Sequence, residues 1–408
     1  MKHKGNSFLR LLGYECRKAF WNPAMLIFIA VLLLLNGVKI SDSFRKADLG
    51  EKYEDVYTVF YNGYVGKITD DKWTHLETIY RPLLEKAKTM SLSNVPSANA
   101  YTYSEASDFP FFQGLFYDQM AYDLDYEKNA AEWTENAQNL QFLYKQVGNS
   151  YGLRRMEALK KVFSGRRIPD FGETWSWDVL LQHDYSAMLV LLLSIFALSG
   201  MFVTEQETDM IMLLQTTPNG GFITIGAKLT AAAIFTLVVC ILFFAEDFLV
   251  VFLMSGRTEA LSGPVYAMQL FRLTPLAMKL WQYFLWAAFM KFLGALFCGY
   301  IILLISSVVK QSLTGFFISF AVLIGCVILQ EFSGSTVLFK LMNPMELVIP
   351  RNLVKQCTFG NVFGFPVPLY GEVLLGCTVL ALLLLAGILY NNRSYHRKGR
   401  KRKYHAEI

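Results

Sequence analysis

The chain has 408 residues, of which 54% are hydrophobic, 15% aromatic and only 17% charged. This composition excludes an ordinary soluble protein and, with several long apolar runs, predicts a polytopic membrane protein. The net charge of +5 is modest, so the position of the charges along the chain is more informative than their sum.

The N-terminal segment, residues 1–22, alternates apolar and basic side chains and predicts a helix lying flat in the inner membrane interface. Residues 23–40 form the first predicted transmembrane helix, which lacks a small-residue cleavage pattern and is expected to be retained. The tail, 391–408, is also strongly basic. Because basic residues flank spans on the cytoplasmic side, both termini are expected in the cytoplasm, at the plasma membrane.

Residues 41–185 contain no spanning run and predict an extracytoplasmic domain that is mainly helical. Thr69 followed by two aspartates is typical of a helix start, and helical spacing follows it. Further helices are expected at 117–147 and 153–163, with a loop at 91–110. Trp175 and Trp177 precede the second span and are expected at the outer interface, because indole rings favour that level.

The rest of the chain predicts five more spans, giving an all-α protein with six transmembrane helices in total. The outer segment after span five carries several prolines and apolar pieces too short to cross, which predicts interfacial or re-entrant helices. The spans are expected at 186–203, 223–254, 280–308, 313–330 and 370–390, with a cytoplasmic loop at 204–222, an outer loop at 255–279 and the outer segment at 331–369.

The loop between spans two and three has a pattern of its own. Acidic residues open it, apolar residues at helical spacing follow, and a Thr-Thr-Pro-Asn-Gly-Gly sequence ends it. Lys228 comes next and is expected at the headgroup level. The pattern predicts an amphipathic helix at the cytoplasmic surface, either an ordinary interfacial helix or a docking element.

This acidic start, amphipathic turn, Thr-Thr-Pro break and following lysine resemble the first cytoplasmic loop of ABC-2-type exporter permeases, and in particular of bacterial permeases with a large outer domain. The resemblance implies a coupling helix docked on a separate ABC ATPase dimer, which would bind ATP and Mg²⁺. It also implies two permease copies, identical or homologous. The implied coupling residues are Glu205, Glu207, Asp209, Met210, Leu213, Leu214, Thr217 and Pro218.

The sequence contains no recognisable catalytic or metal-binding motif. There is no P-loop, no H-E-x-x-H and no G-x-S-x-G, so the chain is not expected to be an enzyme or to carry a cofactor. The five histidines are expected at surfaces or interfaces, and the six cysteines, which lack C-x-x-C spacing, as packing residues. The basic tail is expected to meet anionic lipid of the bilayer and no nucleic acid.

Three ionisable residues fall inside predicted spans, where a charge is costly and needs a partner or water. Glu246 and Asp247 lie in the outer half of the third span, and Lys291 lies at a comparable depth in the fourth. We expect an ion pair between these helices. The open alternatives are a packing role, an outer-interface position for the two acids, or contact with a substrate.

The expected function is therefore that of a permease subunit of an ATP-driven exporter, moving a lipid-like, peptide or other amphipathic cargo. Two alternatives remain. One is an ABC complex that transmits force across the membrane without moving cargo, and the other is a membrane sensor that uses the outer domain as its receptor.

Overall fold

The computed structural model describes residues 2–20, 22–47, 51–89, 112–208, 210, 222–332 and 337–406. It contains six helical segments long and apolar enough to cross a membrane, in agreement with an all-α multi-pass protein. They are Pro23–Arg45, Trp175–Glu207, Phe222–Ser255, Leu280–Val308, Ser312–Gln330 and Leu369–Asn392.

Helices account for most of the described chain, and two short antiparallel strand pairs complete it. The N-terminal half contains α1 (Lys2–Phe20), α2 (Pro23–Ala47), α3 (Glu51–Tyr64), β1 (Gly66–Lys67), α4 (Asp70–Thr89), α5 (Asp118–Gln146), α6 (Ser150–Phe163), β2 (Asp170–Phe171), α7 (Trp175–Gln182), α8 (Tyr185–Leu198) and α9 (Val203–Glu207). The C-terminal half contains α10 (Phe222–Ser255), α11 (Glu259–Ser262), α12 (Leu280–Val308), α13 (Ser312–Phe332), α14 (Val337–Met342), α15 (Met345–Val348), α16 (Arg351–Val354), β3 (Phe359–Val362), β4 (Phe365–Pro368) and α17 (Leu369–Ala406).

The helices α8, α10 and α12 form the centre of the bundle, and α2, α13 and α17 pack around them. The central helix faces are apolar and close-packed, whereas the outer helices leave long apolar faces uncovered, as expected of surfaces that contact lipid or another membrane chain.

The second span differs from its predicted bounds. It begins at Trp175 rather than at residue 186, and it is interrupted between α7 and α8 at His183 and Asp184. Trp177 is wholly buried, with its ring packed against Phe248 and Phe284. The indole of Trp177 is therefore enclosed by α10 and α12, and its predicted level at the outer interface stays a prediction.

The segment between the first two spans folds as a helical domain, called here the inserted domain (described residues 51–89 and 112–174). The helices predicted at 117–147 and 153–163 are confirmed as α5 and α6, and Thr69 Oγ1 accepts a hydrogen bond from the Lys72 backbone N–H at 3.4 Å at the start of α4. The loop predicted at 91–110 lies outside the described residues. The domain has an aromatic core of Tyr57, Tyr61, Tyr64, Leu76, Leu83, Phe112, Phe116, Met120 and Phe171.

The inserted domain is bound directly to the segment 256–279, which joins α10 to α12. Buried Arg166 donates to the carbonyl groups of Thr274 and Leu276, at 2.8 and 3.2 Å. Arg257 donates to the Glu173 carboxylate at 3.2 Å, and burial raises the pKa of that carboxyl group. These contacts fix the domain against one end of the bundle.

The segment before the last span is partly as predicted and partly different. Short helices α14, α15 and α16 are present, and α15 is buried, which satisfies the requirement that irregular backbone inside a membrane bundle be covered by protein. Residues 359–368, however, form a β-hairpin instead of a helix. Its turn residues Phe363 and Gly364 have φ angles of 52° and 83°, the left-handed conformation of a two-residue hairpin turn.

Candidate functional site

The loop 204–222 between the second and third spans is called here the connector. Four charged side chains meet at the end of the bundle where it begins, and they are called here the Lys228 cluster (Glu15, Lys18, Glu205 and Lys228). Lys228, in the second turn of α10, is only 1% exposed, and its ammonium group lies 2.5 Å from Glu205 and 3.2 Å from Glu15. It also donates to the Met201 carbonyl group at 2.7 Å. Lys18 lies 3.9 Å from the same Glu205 oxygen. The cluster joins α1, α9 and α10.

The charges of the Lys228 cluster balance, with two ammonium groups facing two carboxylates. Such compensation is what allows charged groups to be buried. Burial, followed by the nearby Lys228 cation, lowers the pKa of Lys18. The Lys228 side chain is thus buried and held by Glu15, Glu205 and the Met201 carbonyl group, whereas its predicted position at the headgroup level stays a prediction.

The structure describes only part of the predicted coupling surface. Glu205 belongs to the Lys228 cluster, and both Glu207 carboxylate oxygens accept hydrogen bonds from Ser312, at 2.7 Å from its backbone N–H and 2.7 Å from its hydroxyl. Met210 is 47% exposed. The two glutamates thus anchor the start of the connector within this chain. The other predicted coupling residues, Asp209, Leu213, Leu214, Thr217 and Pro218, lie outside the described residues.

A second polar cluster lies between the first three spans, around Asn36. This side chain is fully buried, and its amide group donates to Asp247 at 2.7 Å and to Glu246 at 3.0 Å. Its oxygen lies 3.1 Å from His183 Nε2, which in turn is 3.7 Å from Asp247. With the amide oriented in this way, Nε2 is the donor. His183 is 6% exposed and so is not on the protein surface, one of the two positions expected from the sequence.

The ion pair expected between α10 and α12 is not present among the described residues. Asp247 and Glu246 are bonded to Asn36 on α2, whereas no carboxylate lies within 4 Å of Lys291 Nζ in that part of the chain. Lys291 instead lies 5.2 Å from the centre of the Phe244 ring. The three charges do lie on neighbouring helices, but no ion pair forms between Lys291 and either carboxylate among the described residues.

A cavity of about 630 Å³ lies between α7, α10 and α12. Its walls are mostly apolar, and leucine and phenylalanine are the commonest side chains in them. Four acidic or basic side chains reach it, namely Asp184, Asp247, Lys291 and Arg351. Arg351 is paired with Asp184 at 2.5 Å and also donates to the Leu181 carbonyl group at 2.7 Å, so its guanidinium is held against the break in the second span.

Several residues of these sites were not identified from the sequence. Asn36 was detectable, because it is an isolated amide within an apolar run. Glu15 and Arg351 gave no such signal, since each lies in a segment of mixed polarity and its role depends on which helix packs against it. Among the described residues, no group of three or more His, Cys, Asp or Glu side chains is placed to hold a metal ion.

Comparison with known proteins adds no identification. No protein-family model matches this chain, and no curated protein matches it significantly.

Proposed function

We propose that this chain is the permease subunit of an ABC-2-type exporter in the plasma membrane, working with a separate ATPase dimer and a second permease copy to move an amphipathic cargo. The observation that carries this proposal is the continuity of α10. Its first turns hold Lys228, bound to the connector through Glu205, and its middle contributes Phe244, Asp247 and Phe248 to the cavity wall.

The mechanism follows from that continuity. ATP binding on the partner would close the ATPase dimer and displace the connector. Met210, Leu213 and Leu214 would dock on the ATPase, and the sequence predicts that the docking helix ends at Thr217 and Pro218. Because Glu205 and Lys228 form a buried ion pair, the displacement is passed to α1 and α10 together. A shift of α10 against α12 changes the shape of the cavity between them.

The test is to purify the tagged chain in mild detergent from its native membrane and to identify the co-eluting chains. We expect an ABC ATPase, and we expect the double variant Leu213→Asp, Leu214→Asp to lose it while still inserting into the membrane. A matched control places two aspartates at Lys310 and Gln311 in the nearby turn and should retain the ATPase. Recovery of the same complex from both variants would refute docking through the connector.

Force transmission without cargo is the second candidate, and the docking of the inserted domain favours it. This domain is bonded to segment 256–279 through Arg166 and to the β3–β4 hairpin through Tyr151 and Arg154. Its movement would therefore be transmitted to α12 and α17, which follow these two segments in the chain. ATPase activity of the purified complex that responds to a protein ligand of the domain, with no cargo crossing in sealed vesicles, would select this candidate over export.

A further inference from the structure

We propose that the cavity between α7, α10 and α12 binds a single-chain amphiphile with a carboxylate headgroup, and that Lys291 binds the carboxylate. The role of this ligand as cargo rests on the proposed export function. Its binding in the cavity is inferred from the cavity and its charges alone.

The walls of the cavity fit an apolar chain. The cavity volume of about 630 Å³ is within the range typical of small-molecule sites, and leucine and phenylalanine side chains from α10 and α12 line it. Such walls bind by burial of apolar surface, which is non-directional and tolerates a flexible hydrocarbon chain. They offer few directed hydrogen bonds, and this argues against a sugar or another polyhydroxylated ligand.

Of the acidic and basic side chains at the cavity, Lys291 is the one without a polar partner among the described residues. Asp184 is paired with Arg351, and Asp247 accepts from Asn36 with His183 nearby. In the described part of the chain, Lys291 has neither an ion pair nor a hydrogen bond, although an ammonium group carries three donors. A cation among apolar side chains within a membrane bundle is costly, and an anionic ligand would offset that cost.

The number of available cations favours a carboxylate over a phosphate. Phosphate sites commonly combine several donors, often with a bidentate arginine. Here the guanidinium of Arg351 is already bound to Asp184 and to the Leu181 carbonyl group. The single ammonium of Lys291 matches one negative charge.

The position of the cavity mouth indicates where the ligand comes from. Leu249, Leu285 and Phe289 border the cavity and are 56%, 63% and 54% exposed on the outer surface of the bundle. Apolar side chains in this position face the hydrocarbon of a bilayer. The amphiphile would therefore enter sideways from the membrane, chain and headgroup together.

The experiment measures binding of radiolabelled oleate to the purified full-length chain in lipid nanodiscs, with unlabelled competitors. We expect Lys291→Met to weaken oleate binding tenfold or more, since a hydrogen bond to a charged group is lost. Binding of oleyl alcohol, which has the same chain without the charge, should be unchanged. Lys291→Arg should retain oleate. Lys310→Met, which removes an exposed lysine beyond the far end of α12, is the matched control and should bind oleate normally.

A second variant tests the location. Ala288 lines the cavity, and Ala288→Trp should fill it and abolish binding of both oleate and oleyl alcohol. Normal oleate binding by Lys291→Met or by Ala288→Trp would overturn the proposal, as would stronger competition by oleylamine or lysophosphatidate than by oleate. If Lys291→Met fails to fold, the test rests on the other two variants. Lys291→Arg should still bind oleate, Ala288→Trp should bind neither ligand, and the opposite result from either variant would overturn the proposal. Failure of oleate to bind a chain that still co-purifies with an ATPase would reject the ligand and leave the proposed function standing.

Discussion

Lys228 is the residue on which α1, α9 and α10 converge, and removing its charge would leave the buried Glu15 and the partly buried Glu205 without their shared cation. Breaking a buried pair by deleting one partner costs about 3–5 kcal/mol. We therefore expect Lys228→Met to lower the thermal unfolding midpoint of the purified protein markedly. Lys18→Met is the control and should have a small effect, because the Lys18 side chain is 31% exposed and its contact is longer. Equal midpoints for the two variants would contradict this role.

At the scale of single residues, the sequence identified several charged residues of the two polar clusters but not the residues that they contact. Glu205 and Lys228 belong to the connector pattern, and Glu246, Asp247 and Lys291 are conspicuous as charges in apolar runs. Their contacts depend on helix rotation, which hydrophobic periodicity does not define in a span that is apolar all round. The expected ion pair of Glu246 or Asp247 with Lys291 is absent from the described residues. Both carboxylates instead accept hydrogen bonds from Asn36.

At the scale of elements, α17 and α14 approach so closely that only glycine fits at Gly376. A Cβ there would overlap the Leu341 carbonyl oxygen, which is backbone and has little freedom to move. We expect Gly376→Ala to destabilise the protein by about 1–3 kcal/mol, as overpacking commonly does. Gly325→Ala on α13 is the matched control, because nothing lies within 4 Å of the added carbon. The measurement is the thermal midpoint of each purified variant, and a normal midpoint for Gly376→Ala would contradict the contact.

Most helices were predictable from the sequence because long apolar runs and clear helix starts are local signals. The β3–β4 hairpin was not, since its residues are apolar and contain prolines, a pattern shared by interfacial helices and irregular segments. Its structure depends on left-handed turn residues and on bonds to α6, including the one from Tyr151 to the Phe359 carbonyl group at 3.1 Å. The early start of α7 was missed because tryptophans in this position are typical of a membrane interface.

At the scale of the molecule, Arg166 is a main contact between the inserted domain and the bundle. It bonds two carbonyl groups of segment 256–279 and lies 4.8 Å from the Tyr266 ring centre. We expect Arg166→Met to loosen this docking and to speed proteolysis of segment 256–279, while membrane insertion is preserved. The neighbouring Arg167 is exposed, and Arg167→Met is the control. Unchanged cleavage rates in Arg166→Met would show that other contacts hold the domain.

The architecture of six spans with a helical insertion followed from run lengths and charge placement alone, but the docking of the insertion did not. Arg166 and Arg257 read in the sequence as ordinary surface arginines. Their burial depends on carbonyl groups and aromatic rings supplied by residues about a hundred or more positions away in the chain, a separation across which local patterns carry no information.

The interruption at His183 and Asp184 divides the second span into two helical segments, α7 and α8. Arg351 binds the Leu181 carbonyl group of α7 and the Asp184 carboxylate at the break, whereas α8 leads towards α9 and the connector. Because no unbroken helical ladder runs through this point, a twist applied at one face need not be reproduced at the other. We therefore expect a displacement at one end of the bundle to reach the other end through unbroken helices such as α10 rather than through the interrupted second span.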